Sequence, residues 1–150
     1  MKIVVGSDER TPLTDAVVRE LRERGHEVEM LLPDPGATLP WAEVGAWVGW
    51  KVARGEAEQG VLFCWTGTGV SMAANKVPGV RAALCGDPET ARGARRWNDA
   101  NVLVMSLRAT AEPVAKEILD AWFSTPPSDQ PEDRANIAKL EEIAQSPSLA

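Results

Sequence analysis

The sequence predicts a three-layer α/β fold, a five-stranded parallel sheet with helices on both faces, and three observations lead there. Short apolar runs alternate with longer helical patterns over the first 125 residues or so. Gly- and Pro-containing turns separate them at spacings that suit β-α-β crossovers, which are right-handed. The composition of the 150 residues, 44% hydrophobic and 25% charged, is that of one ordinary domain with a real core.

Ile3-Val4-Val5 reads as the first strand, running into the loop Gly6-Ser7-Asp8-Glu9. Thr11-Pro12 opens a helix with Pro near its first position, carried on by Leu13, Val17, Val18 and Leu21 at helical spacing until Gly25 stops it. His26, the single histidine, falls in the turn before the second strand, Val28 to Leu32, and reads as a surface turn residue. Pro33-Asp34-Pro35-Gly36 is a loop, and Trp41 to Val52 an apolar helix. Its Trp47 and Trp50 share a face suited to core or interface packing. Val61 to Phe63 is the third strand, followed by a glycine-rich loop and a helix from Ser71. Val80 to Leu84 is the fourth strand, Pro88 to Arg96 a helix, Val102 to Met105 the fifth strand and Ala111 to Phe123 a helix. The Pro-rich stretch Ser124 to Pro131 excludes regular structure. A last helix from about Glu132 to Ile143 carries Ile137, Leu140 and Ile143 as one stripe, which is expected to extend to a partner subunit, and Gln145 to Ala150 should fray. The division is therefore 1–125 for the sheet domain and 126–150 for a linker and dimerisation helix of the same domain.

The chemistry concentrates in Cys64-Trp65-Thr66-Gly67-Thr68-Gly69-Val70-Ser71, where a strand ends at a thiol and turns through glycines into a helix. Successive backbone N–H groups at such a turn bind a phosphate, a carboxylate or a developing oxyanion, and their positive field favours thiolate, hence a nucleophile or base. A buried structural cysteine in a tight turn is the plain alternative. The spacing matches neither the P-loop nor the dinucleotide fingerprint. Ligands of parallel sheets bind beyond the carboxyl ends of the strands, which is expected to gather Asp8, Glu9, Cys64 to Gly69, Asp87, Trp97 to Asn101 and Arg108 at one edge.

Several function classes are excluded. A net charge of -6 and one small interrupted basic cluster, Arg92, Arg95 and Arg96, argue against nucleic acid. No membrane span or signal peptide is read, and the two cysteines, Cys64 and Cys85, read as reduced thiols of a cytoplasmic protein. Two cysteines and one histidine without ligand spacing make no metal site, and nothing calls for a cofactor.

Three stretches carry a resemblance: Gly6-Ser7-Asp8; Gly60 to Cys64 with Thr66-Gly67-Thr68-Gly69 and Ala73 to Cys85; and Asn98-Asp99-Ala100-Asn101-Val102-Leu103. Together they resemble the ribose-5-phosphate isomerase B family, which includes the galactose-6-phosphate isomerase subunits. The resemblance implies a Rossmann-like fold and aldose–ketose isomerisation of sugar phosphates through an enediolate. It implies Cys64 as the proton-transfer base with Thr66 beside it, and a cradle at Gly67, Thr68 and Gly69 with Ser71 following. It also places Asp8 and Asn98 on sugar hydroxyls and Arg108 across a dimer interface at the phosphate. Val70 stands where a cysteine-free branch has its glutamate. A homodimer or tetramer with shared active sites is implied, with a small-molecule sugar or sugar phosphate as ligand.

The departures are equally specific. Glu9 and Trp97 stand where the family has histidines, the latter implicated in ring opening, and Trp65 stands for a glycine. Thr38-Leu39-Pro40 replaces Asp-Tyr-Pro, and Arg134 alone remains basic where the family presents Arg and His to the phosphate. These changes point to a substrate other than ribose 5-phosphate, uncharged or differently substituted, with Trp65 and Trp97 stacking on it and Glu9 or Asp8 opening the ring. The rival expectation is a non-catalytic sugar-binding or regulatory relative; a redox role for Cys64 is disfavoured, since no Cys-x-x-Cys is present.

Overall fold

The computed structural model describes residues 1–146. Its strands are β1 (Lys2–Ser7), β2 (Glu27–Leu31), β3 (Gln59–Cys64), β4 (Ala82–Leu84) and β5 (Val102–Ser106), all parallel in the order β2-β1-β3-β5-β4. The helices are α1 (Pro12–Glu23), α2 (Trp41–Ala53), α3 (Thr68–Asn75), α4 (Pro88–Asn98), α5 (Glu112–Ser124) and α6 (Pro131–Gln145).

The period-2 alternation of the strands divides the core in two. Ile3, Val5, Val61, Phe63, Leu103 and Met105 face one way and pack with Leu13, Val17 and Leu21 of α1, Ala91 and Ala94 of α4, and Ile118, Leu119 and Trp122 of α5. Val4, Leu62, Cys64, Val102 and Val104 face the other way, against Val44 and Val48 of α2 and Val70 and Ala74 of α3. The chain steps outward from β1 to β2, then back across to β3, so right-handed crossovers put α1 and α2 on opposite faces. The loops after β1 and β3 therefore diverge, and the crevice between them is the sheet's switch point. Asp8 and Cys64 stand at its two lips.

Local chemistry explains the element ends. Thr11 caps α1 in a reciprocal box with Thr14, each hydroxyl accepting the other's backbone N–H, and Pro12 follows where a missing N–H costs nothing. Asp87 caps α4, accepting from the Thr90 N–H at 2.7 Å and the Thr90 hydroxyl at 2.8 Å. These bonds to the ionised form hold its carboxyl below the usual range. Asp87 is thus at the expected edge but committed to capping.

Most boundaries differ from the sequence expectation by a residue or two, and three of the differences bear on the site or on the end of the chain. Helix α3 starts at Thr68, three residues before Ser71, because Gly67 adopts the left-handed conformation (φ 81°) and caps it. Strand β4 starts at Ala82, since the Val80 N–H bonds back to Val77. Helix α6 runs to Gln145, and the expected fraying of 147–150 lies outside the described residues. No residue of α6 is buried; it lies against α4 and is tied by Arg81 Nη1 donating to Glu141 Oε1 at 2.8 Å. Its stripe faces α4 of its own chain, where Ile137, Leu140 and Ile143 border a cavity of about 220 Å³ with Trp97 and Asn98. No described helix is long and apolar enough to cross a membrane.

Candidate active site

The thiol of Cys64 ends β3 on the α2/α3 side of the sheet, 6% exposed and beneath the first turn of α3. Gly67 makes this approach feasible. A Cβ there would lie 2.5 Å from Leu84 Cδ1 and 3.3 Å from the Met105 carbonyl carbon, besides the strain of a positive φ. The N–H groups of Thr68, Gly69 and Val70 open α3 with no side-chain cap, so they are available to an anion at the positive end of the helix. Thr66 and Thr68 share a hydrogen bond between their hydroxyls at 2.8 Å, which sets Thr66 at the mouth of the loop. Ser71 lies one turn into α3, half-buried, its N–H bonded to Gly67 O at 3.3 Å.

Across the crevice, β1 pairs with β3 through Ser7 and Phe63, which brings Asp8 alongside Cys64. The Asp8 carbonyl accepts the Leu39 N–H at 2.9 Å, and Glu9 bridges Thr38, so Thr38-Leu39-Pro40 walls the crevice on that side. Asp8 Oδ1 is buried with no hydrogen-bond partner among the described residues. Burial, then the neighbouring Glu9 carboxylate, pushes the Asp8 carboxyl above the usual carboxylate range. An unpaired acceptor at the lip of a cleft is costly for the scaffold alone and is what a ligand hydroxyl would satisfy.

Two aromatic rings stand by the loop. Trp65 is 56% exposed, and Trp41, 48% exposed, lies so close over Gly69 that a Cβ there would meet the ring at 2.8 Å. Trp41 escaped the sequence reading as a site residue because its helix is apolar throughout; the legible signal was the second glycine of the loop, which makes room for a ring. Arg108 follows β5 at the same edge, exposed, with its N–H on Trp65 O at 3.0 Å.

Trp97 and Asn98 are not gathered there. They end α4 just before β5, and Asn101 O accepts from Gly60 N at the start of β3, so this segment lies at the amino edge of the sheet. The carboxyl-end rule holds for residues that follow a strand, and these precede one. The length of β3, about 15 Å or more, separates them from Cys64 of the same chain. Arg134 shares their region: Ser128 N bonds Arg96 O, and Asn136 lines the Trp97 cavity, with exposed Arg134 between. The sole histidine, His26, is also at the amino edge, stacked on Phe123 with ring centroids 4.7 Å apart. Asn101 is structural, its side chain accepting from Arg81 N and donating to Gly79 O.

A thiol, a carboxyl raised above its ordinary value and an N–H cradle meet at the switch point of a parallel sheet, where they can receive a small polar ligand. A profile of the Ribose/Galactose Isomerase family matches residues 3–140, and the chain belongs to that family. It is 39% identical over 111 residues, 74% of each chain, to ribose-5-phosphate isomerase B of Escherichia coli strain K12. It is 33% identical over 125 residues, 82% of each chain, to D-erythrulose-4-phosphate isomerase of Pectobacterium atrosepticum. The solved structure of Clostridium thermocellum ribose-5-phosphate isomerase B superposes with a TM-score of 0.92 at 34% identity, covering 99% of this chain and 100% of that one. The protein is accordingly an enzyme of the aldose–ketose isomerase class, in a sugar-phosphate isomerase family whose members differ in substrate.

Proposed function

We propose that the protein interconverts an aldose and its ketose with Cys64 as the base, on a sugar other than ribose 5-phosphate, uncharged or differently substituted. The observation that carries this is the thiol at the end of β3, set against the uncapped first turn of α3. As thiolate, Cys64 takes the proton from C2 of the open-chain aldose. The electron pair moves into the C1–C2 bond and the charge settles on O1, where backbone N–H groups stabilise it. The Thr66 hydroxyl, held by Thr68, passes the O2 proton to O1, and the Cys64 thiol returns its proton to C1, leaving the ketose.

The substrate reading is supported by Trp41 and Trp65 beside the loop and by Glu9 next to Asp8, an acidic pair where a phosphate dianion would be repelled. Arg108, after β5 at this edge, could offset them, whereas Arg10, after β1, is paired with Asp15 at 2.9 Å. The separation of Trp97, Asn98 and Arg134 from Cys64 supports a homodimer in which a second copy brings these residues to the crevice, with Arg108 serving the shared site.

Incubation with a panel of phosphorylated and free four- to six-carbon sugars in deuterated water tests the reading. Deuterium should enter C1 or C2, and Cys64→Ala should abolish it without unfolding the chain. Sugar binding with no wash-in would make the protein a non-catalytic relative. A kcat/KM for ribose 5-phosphate of about 10⁴ M⁻¹s⁻¹ or more, with no turnover of other sugars, would refute the substrate assignment.

A further inference from the structure

We propose that Ser106 is a positioning residue for this isomerisation: its buried hydroxyl holds the Trp65–Thr66 peptide so that two backbone N–H groups beside the thiol face the reacting oxygen. This rests on the reading of Cys64 as the base. Ser106 is the last residue of β5, in register with Cys64 and 9% exposed. Its Oγ donates to the Trp65 carbonyl at 2.9 Å and accepts the Ala109 N–H at 3.1 Å, so both capacities of the hydroxyl are spent on the loops. The Trp65 carbonyl takes a second bond from the Arg108 N–H at 3.0 Å, and the Cys64 carbonyl takes one from the Leu107 N–H at 3.0 Å.

Two successive carbonyls, of Cys64 and Trp65, are thereby drawn toward β5. A trans peptide carries its N–H opposite its C=O, and the described residues contain no cis bond. The N–H groups of Trp65 and Thr66 therefore project away from β5, toward the side on which β1 ends and Asp8 lies. Neither has an acceptor among the described residues. Adjacent, unspent N–H groups next to the base are what an enediolate oxygen requires, and they add to the donors at the start of α3. Their aim depends on Ser106. The β3–β5 ladder ends at Cys64 and Ser106, and without the hydroxyl the Trp65 carbonyl keeps one bond, from an exposed residue. That peptide plane is then free to rock.

The test uses the full chain with Ser106→Ala and Ser106→Thr. Losing an oxyanion donor outright costs about 10²- to 10³-fold in kcat; a donor loosened but present should cost about tenfold, with KM little changed. Two probes are made from the sugar that the wild type turns over: its aldonohydroxamate, a planar mimic of the enediolate, and its alditol, which lacks the carbonyl. Ser106→Ala should weaken the hydroxamate by the same factor as kcat/KM and leave the alditol unchanged, and Ser106→Thr should restore both kcat and hydroxamate affinity. Unchanged kcat and hydroxamate affinity would overturn the inference. So would equal loss of both probes with a lowered Tm, which would make Ser106 scaffold only. A wild type that turns over no sugar refutes the reading of Cys64, and this inference with it; an active wild type indifferent to Ser106→Ala refutes this inference alone.

Discussion

Replacing Gly67 by alanine separates two costs that the structure places on one residue. The first is conformational: at φ 81° a Cβ crowds its own backbone, which costs about 1–2 kcal/mol. The second is steric. The new Cβ would sit 2.5 Å from Leu84 Cδ1, at the end of a flexible half-exposed side chain, and 3.3 Å from the Met105 carbonyl carbon, which belongs to a buried strand and cannot yield. Adding about 1 kcal/mol for that overpacking gives about 2–3 kcal/mol in all, a fall in Tm of roughly 4–12 °C for a domain of this size. Gly25 supplies the control: its φ is 90°, yet nothing lies within 4 Å of a Cβ built there, so Gly25→Ala should lose only the conformational part. Thermal unfolding of both variants gives the steric share by difference, and adding Leu84→Ala to Gly67→Ala should recover part of it. The deuterium assay should show Gly25→Ala active and Gly67→Ala impaired, since only the latter shifts the cradle. Equal Tm losses in the two variants, or full activity in Gly67→Ala, would refute this account of the loop.

Asp8→Asn should raise Tm near neutral pH while lowering activity. The folded carboxyl titrates above its unfolded value of 3.8, so its charged form is the unfavourable one; the relative stabilisation is full in acid and lost as pH rises through the folded pKa. The gain from the substitution should therefore vanish as the pH falls below about 4, and a pH-independent gain would contradict it. Iodoacetamide at pH 8 should label Cys64 and spare Cys85. The latter is fully buried and pushed up to about 12 by burial and then by Asp87, which leaves on the order of one thiolate in ten thousand; equal labelling in the folded protein would count against the assignment. Arg81→Ala removes the Glu141 ion pair and the bond from Arg81 Nε to Asp99 O, so hydrogen exchange should accelerate in α6 and not in β3. Unchanged protection of residues 131–145 would show that α6 is held by other contacts.

The sheet was legible because its strands are short apolar runs between unmistakable turns, and the adjacent interior strands β1 and β3 place their ends where the loops diverge. Cys64, Gly67 and Asp8 could be read for the same reason: each follows a strand directly. Trp97 and Asn98 were misplaced because a helix end and a strand end look alike as motif positions, although the intervening element reverses direction and carries them to the far edge. Ser106 and Trp41 gave no sequence signal of their own. A serine at a strand end spends its hydroxyl on bonds that only the fold supplies, and a tryptophan in an apolar helix looks like core until the glycine beneath it is seen.

The interleaved strand order has a consequence for the birth of the protein. Strand β3 gains its first flank from β1, already made, but its second comes from β5, and the peptide that aims the loop waits for Ser106, Leu107 and Arg108. Roughly 40 residues must be synthesised after Cys64 before that flank exists, or about 2–8 s at ribosomal speeds. During this interval Val61-Leu62-Phe63 presents an uncharged, unpaired edge, the kind of segment through which nascent chains on neighbouring ribosomes stick together. Completion of β5 is therefore the step that closes this edge, before any sugar is met.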